Sequence, residues 1–150
     1  MKTIFDKSTR DELVHRINSL NENNKPVWGK MNVYQMPKHC TVWNDWVLGT
    51  KDFVYKQDFI GKIFGKMALK SNTKDDKPIG KNMPAGKAFT VKGKVEDLTT
   101  LKSIWIEQIK CYENYSNENF IHDFFGRMTK EQIGIFAYKH NDHHLRQFNT

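Results

Sequence analysis

Apolar residues recur along this chain at intervals of three and four, which is the period of one face of an α-helix. Five segments show this period, and none shows the strict alternation that is typical of a half-buried strand. We therefore predict five helices, over Ser8–Asn21, Asn32–Leu48, Asp52–Leu69, Val95–Asn114 and Thr129–Phe148. Ser8 or Thr9 is the expected N-cap of the first helix and Asn32 that of the second.

In the first four predicted helices, the apolar residues form a stripe that we expect to face the core. The stripes consist of Leu13, Ile17 and Leu20; Met36, Cys40, Trp43 and Val47; Phe59, Ile60, Ile63, Phe64 and Met67; and Leu98, Leu101, Trp105, Ile109 and Tyr112. In the third helix, lysines take the opposite side. With the predicted bounds of the second helix, Pro37 falls in its second turn. We therefore expect either an irregularity just before His39 or a later start of the helix.

The third and fourth predicted helices are joined by a long connection, residues 71–94, that is rich in glycine, proline and lysine. Such a connection is either functional, as a lid or part of a mouth, or a crossover that spans the molecule. Four long helices with one long connection predict a single all-α domain over residues 1–150, a four-helix bundle with a crossover.

The last predicted helix carries the most distinctive pattern. Thr129 and Gln132 have the spacing of a capping box. The inward stripe then runs through Ile133, Phe136 and Ala137 into His140, His144 and Gln147. The two histidines are four residues apart, so their side chains leave one face roughly 6 Å apart, close enough to hold one metal ion. The alternative is that the two histidines merely end a stripe of core residues and bind no metal. His143 lies off this stripe and is expected at the edge of the bundle.

A third imidazole would complete a metal site, and His39 is the only other histidine predicted near the inward side of a helix. Three neutral nitrogens favour zinc, nickel, iron or a similar ion over calcium or magnesium. Cys40 is either a competing ligand or a buried thiol.

Composition narrows the classes of partner. The chain has a net charge of +7, but its lysines are scattered without a basic block, which argues against nucleic acid. It has two cysteines, a mean hydropathy of -0.72, no apolar leader and no run long enough to span a bilayer. We therefore expect a cytoplasmic protein with no membrane partner.

Four stretches together resemble the DinB/YfiT-like superfamily, in particular a branch of uncharacterised bacterial proteins. They are Trp28–Asn32, Gln35–Cys40, His122–Gly126 and Tyr138–Phe148. The resemblance implies a four-helix bundle with a long crossover, often a homodimer, that binds a divalent metal through three histidines, here His39, His140 and His144. Characterised members of the superfamily include thiol S-transferases and a thiol-dependent isomerase that use bacillithiol or mycothiol.

We thus expect a metal-dependent thiol transferase or hydrolase. Its cofactor would be a divalent ion, zinc or nickel first and iron or manganese as alternatives, and its substrates a low-molecular-weight thiol and a small electrophile. His122 is the candidate catalytic residue at the mouth, or it caps its linker. The alternatives are a metal-stabilised binding or stress-response module without turnover and, third, a nucleic-acid-binding protein.

Overall fold

The computed structural model describes residues 1–83, 86–92 and 97–150. In this part of the chain there are five α-helices and no strand. The helices are α1 Lys7–Ser19, α2 Gln35–Leu48, α3 Phe59–Thr73, α4 Leu98–Cys111 and α5 Lys130–Gln147, with short 3-10 turns at Lys87–Phe89 and Tyr112–Asn114. The predicted all-α class is confirmed. None of the described helices combines the length and the apolar character that a transmembrane span requires.

One apolar core contains buried residues of all five helices, with Leu69 as the contribution of α3. α4 packs against α1 and α2, and α5 packs against the same two helices, whereas α3 packs against α5. The inward stripes predicted for α1, α2, α4 and α5 are all buried, apart from His140, which keeps partial exposure. Burial of these side chains is the main source of stability for such a fold, at about 1.5–3 kcal/mol for each large aliphatic or aromatic residue.

The helix starts differ from the predicted ones by a few residues. α1 is preceded by Asp6, so Ser8 and Thr9 lie inside the helix rather than at its cap. α4 follows Asp97, whose carboxylate accepts from the Thr100 amide at 2.9 Å. The predicted start at Val95 lies outside the described residues.

The start of α2 removes the difficulty expected at Pro37. Asn32 Oδ1 accepts from the Tyr34 and Gln35 amides at 3.0 and 2.8 Å, and Gln35 Oε1 accepts from the Asn32 amide at 3.1 Å. This reciprocal cap starts the regular helix at Gln35, so Pro37 is its third residue. Proline is tolerated in the first turn of a helix, because backbone N–H groups there have no intrahelical acceptor and the N–H that proline lacks is not missed. Of the two outcomes expected at Pro37, the later start is observed and the irregularity is absent, so His39 follows on regular helix.

α3 is the element for which the prediction was wrong in both extent and orientation. It begins at Phe59 rather than Asp52, because the Asp58 carboxylate caps it by accepting from the Gly61 amide. Its buried residues are Gly61, Gly65, Leu69 and Thr73, while the five large apolar residues expected in the core are exposed. A Cβ atom at Gly61 or Gly65 would collide with the backbone carbonyl oxygen of Phe124. Only glycine permits this close approach, so the glycine face turns inward.

Candidate metal centre

Three histidines meet where α2 and α5 face each other. α2 supplies His39, and α5 supplies His140 and His144 from successive turns. One ligand nitrogen from each ring lies within 4.8 Å of the other two. The structure therefore brings together the three residues that the sequence singled out, although their role as metal ligands remains a prediction.

The outer nitrogens of two of these rings are held by oxygen acceptors. His39 Nδ1 lies 2.7 Å from the Phe89 carbonyl oxygen, and His144 Nδ1 lies 3.1 Å from Gln147 Oε1. Gln147 is held in turn, because its Nε2 donates to the Trp28 carbonyl at 2.7 Å. Carbonyl oxygens only accept, so both imidazoles carry their proton on Nδ1 and keep the Nε2 lone pair free. Hydrogen bonds from the outer ring nitrogen to an oxygen acceptor are typical of metal-binding histidines.

The third ring, His140, is positioned by stacking. It lies flat against Trp43, with ring centroids 4.0 Å apart and planes at 20°. Its Nε2 is 3.3 Å from His39 Nε2. Two nitrogens bound to one tetrahedral zinc ion at 2.0–2.1 Å are about 3.4 Å apart, so the spacing of this pair suits a shared ion. The same contact is a hydrogen bond when His140 carries its proton on Nε2.

Burial keeps the three imidazoles neutral. It lowers the pKa of His39, although the Phe89 carbonyl opposes that shift. Burial also lowers the pKa of His140 and of His144 well below the usual value, and the neighbouring imidazoles lower both further. A neutral imidazole is the form that binds a metal ion, so the cluster needs no deprotonation near neutral pH.

The imidazoles lie in the wall of a cavity of about 780 Å³. Seven tryptophans and phenylalanines contribute to the wall: Trp28, Trp43, Trp46, Phe89, Phe124, Phe125 and Phe136. The long connection contributes Ile79, Asn82, Met83 and Gly86. The described residues of this connection favour a functional role at the mouth of the cavity over a simple crossover. Lys94 and the end of the segment lie outside the described residues.

His122 also lines this cavity, on a tight turn. The backbones of His122 and Gly126 exchange two hydrogen bonds, of 3.1 and 2.9 Å, and Gly126 has a φ of 74° that favours glycine. His122 Nδ1 accepts from the Phe124 and Phe125 amides, and Asp123 Oδ1 lies 3.0 Å from the same nitrogen. His122 thus caps its own turn and faces the cavity, so both alternatives from the sequence remain open.

Two other residues, His143 and Cys40, were also given expected positions by the sequence. His143 was expected at the edge, but it lines the cavity, where it contacts Trp28 edge-to-face with ring centroids 5.4 Å apart. Cys40 is fully buried with its Sγ 3.9 Å from Met36 Sδ, and burial raises the pKa of its thiol. Among the described residues the cluster contains no cysteine, so Cys40 is a core residue rather than a competing ligand.

Sequence reasoning missed the partners that orient the rings. Phe89 acts through a backbone carbonyl fifty positions from His39, which no side-chain pattern reveals. Gln147 was the exception that a signal could have found, because it lies on the histidine stripe of α5 one turn beyond His144. A polar residue in that position is a candidate to hold the imidazole before it.

The family comparison corrects the resemblance. The family model described as a protein of unknown function (DUF1569) matches residues 4–150, and no DinB-like or YfiT-like family model matches. No curated protein and no solved structure matches the chain. Assignment to the DinB/YfiT-like superfamily was therefore wrong; it depended on four short stretches, whereas the family model that matches nearly the whole chain is a different one. The chain belongs to the DUF1569 family of proteins of unknown function.

Proposed function

We propose that this protein is a metal-dependent enzyme that holds a divalent ion through His39, His140 and His144 and acts on an apolar substrate. The observation that carries the proposal is the 3.3 Å approach of His39 Nε2 to His140 Nε2. It is supported by the carbonyl oxygens that hold Nδ1 of His39 and His144. Three neutral imidazoles favour zinc or nickel, with iron next and manganese last.

We further propose that α1, α2, α4 and α5 form a four-helix bundle, with α3 on its outside. The pairwise packing of these four helices around a common core supports this arrangement. In bundles, ligands converge from facing helices, as His39 does with the two histidines of α5.

The proposed reaction is attack of a thiolate on an electrophilic carbon, in which a C–S bond forms as the bond from that carbon to its leaving group breaks, or hydrolysis, in which water attacks and the leaving group takes up a proton. A divalent ion with three protein ligands supplies an open position and a Lewis acid that lowers the pKa of a thiol or of water. The aromatic side chains of the wall would hold an apolar group beside the imidazoles. His122, on the same wall beside Asp123, is the proposed residue for moving a proton to or from the substrate.

The size and lining of the cavity also indicate the chemical class of the proposed substrate. A cavity of about 780 Å³ has the size of sites for small organic molecules, which are lined mainly by apolar side chains with a few polar groups. Lys30 lines it, and the Lys81 ammonium lies 4.5 Å from the Trp28 ring centroid. We propose an aromatic or aliphatic body with an anionic group, such as a thiolate, attracted by these lysines.

Elemental analysis of untagged protein tests the metal site. We expect about one equivalent of metal after incubation with zinc or nickel, and little in His39→Ala or His144→Ala, because two imidazoles alone bind weakly. His15→Ala, which alters an exposed histidine on α1, is the control and should retain the metal. A wild-type protein that stays metal-free would contradict the proposal. Metal without turnover on thiol and ester substrates would instead support the binding module.

A further inference from the structure

The outward face of α3 is a patch of large apolar side chains. Phe59, Ile60, Ile63, Phe64 and Met67 have exposed fractions between 50% and 76%. At 100° per residue they cover about 140° of the helix surface without a gap. With roughly 150–200 Å² for a fully exposed side chain of this size, the patch offers on the order of 500 Å². Patches of this size on a single chain often mark interaction sites.

The inward face of α3 fixes this exposure. Gly61 and Gly65 lie against the Phe124 carbonyl, where no Cβ fits, and Leu69 is buried. Lys139 of α5 donates to the carbonyl oxygens of Asn72 and Lys77 at 2.8 and 3.0 Å, which anchors the end of the helix. Rotation of α3 to bury the apolar patch would force a large side chain into the glycine contact. The exposure of the patch is therefore determined by the packing of α3.

Lysines flank the patch along one edge. Lys62, Lys66 and Lys70 are four residues apart, so they form a single row, and α3 contains no acidic residue. Lys66 Nζ donates to the Arg127 carbonyl at 2.6 Å, which keeps its charge beside the helix. An apolar stripe edged by lysines is typical of helices that lie in the interface of a membrane with anionic lipids.

We propose that α3 docks this protein onto an anionic membrane surface, with its apolar patch at the boundary of headgroups and acyl chains and its lysines against lipid phosphates. A second copy of the chain fits less well. The patch is smaller than the roughly 800 Å² that each partner contributes to a standard stable interface. Two such faces would also bring lysines together without acidic partners from α3.

This proposal departs from the sequence-based expectation of no membrane partner, which rested on the lack of an apolar run long enough to span a bilayer. Docking of a helix at the membrane surface requires neither an apolar run of about 20 residues nor a covalent lipid anchor. Asp58, which caps α3, also lines the cavity, as does Phe124. The proposed membrane face is thus adjacent to the rim of the cavity, but the proposal depends on neither the metal nor the reaction.

Co-sedimentation with lipid vesicles tests the proposal. We expect the untagged full chain to bind equimolar phosphatidylcholine and phosphatidylglycerol vesicles, to bind phosphatidylcholine alone weakly, and to dissociate as salt is raised. Ile63→Glu with Met67→Glu, at the centre of the patch, should abolish binding. Ile104→Glu is the control, because Ile104 is an exposed apolar residue on α4. Circular dichroism checks that each variant is folded.

The lysines are tested separately. Lys62→Gln with Lys70→Gln should weaken binding to the anionic vesicles about 25-fold, at roughly fivefold for each lysine. Lys25→Gln, at an exposed lysine outside α3, should leave binding unchanged. Absence of binding by the wild type, or equal binding by the Ile63→Glu, Met67→Glu variant, would overturn the proposal. So would a dimer, measured by light scattering, that this double variant dissociates, because a second copy would then cover the patch.

Discussion

At the scale of single residues, the centre depends on which nitrogen of each ring carries the proton. The Phe89 carbonyl and Gln147 Oε1 accept from Nδ1 of His39 and His144, so the Nε2 lone pairs remain for a metal. His140 differs, because its Nδ1 is buried without a hydrogen-bond partner among the described residues and its ring is held by Trp43. Two rings are thus oriented by hydrogen bonds and one by stacking.

Substitution of Gln147 tests the hydrogen-bonded part. Gln147→Met keeps the approximate length of the side chain but removes the acceptor for His144 and the donor to the Trp28 carbonyl. We expect metal affinity, measured by competition with a chelator, to fall about 10–100-fold. Arg146→Met changes the neighbouring residue, which contacts Asp142 instead, and should have little effect. Equal affinities in the two variants would show that Gln147 does not support the site.

At the scale of elements, α3 shows how backbone contact overrides a hydrophobic pattern. Its apolar residues have the period of a buried helix, yet the two glycines one turn apart decide which side faces α5. The carbonyl of Phe124 approaches the axis of α3 closely, and a bulky side chain cannot occupy that space. The glycine side of α3 therefore lies against Phe124, and the larger residues remain exposed.

An added methyl group in this contact should therefore be costly. We expect Gly65→Ala to lower the free energy of unfolding by about 1–3 kcal/mol, the usual cost of overpacking. Gly80→Ala is the matched control, because no heavy atom lies within 4 Å of the added Cβ, and it should change stability by less than about 0.5 kcal/mol. Urea unfolding measures both. A neutral Gly65→Ala would mean that α3 moves freely and that its orientation is not fixed by the glycines.

At the scale of the whole molecule, the buried histidines link stability to pH. Burial is the first cause that lowers the pKa of His39, His140, His143 and His144 in the folded chain. The unfolded chain therefore takes up protons at a higher pH than the folded chain does. Stability is fully present above the unfolded pKa, about 6.5, and is lost as pH falls below it.

We expect the metal-free protein to lose stability between about pH 7.5 and pH 5.5, with a slope of at most about 1.4 kcal/mol per pH unit for each of these histidines. Denaturant unfolding in the presence of a chelator measures the slope. His140→Gln should make it shallower, because a group that titrates only in the unfolded chain is removed. A stability that is independent of pH in this range would contradict the burial of neutral imidazoles.

Much of the helical architecture follows from local pattern. The periodic stripes of α1, α2, α4 and α5 are buried, and the Thr129 and Gln132 capping box forms as predicted. These features depend on residues within one or two helical turns of each other, so they can be predicted from the local sequence. The same holds for His140 and His144, which any regular helix through these positions places on one face.

Tertiary structure decided what depends on distant segments. The sequence by itself determined the all-α class, the core faces of four helices and the common face of the two histidines on α5, because helical period sets these locally. Only the folded chain brought His39 to that pair, supplied the Phe89 carbonyl, and turned the glycine side of α3 inward against Phe124. These are contacts between residues about 50 to 100 positions apart, and they arise from backbone approach and packing that no local period encodes.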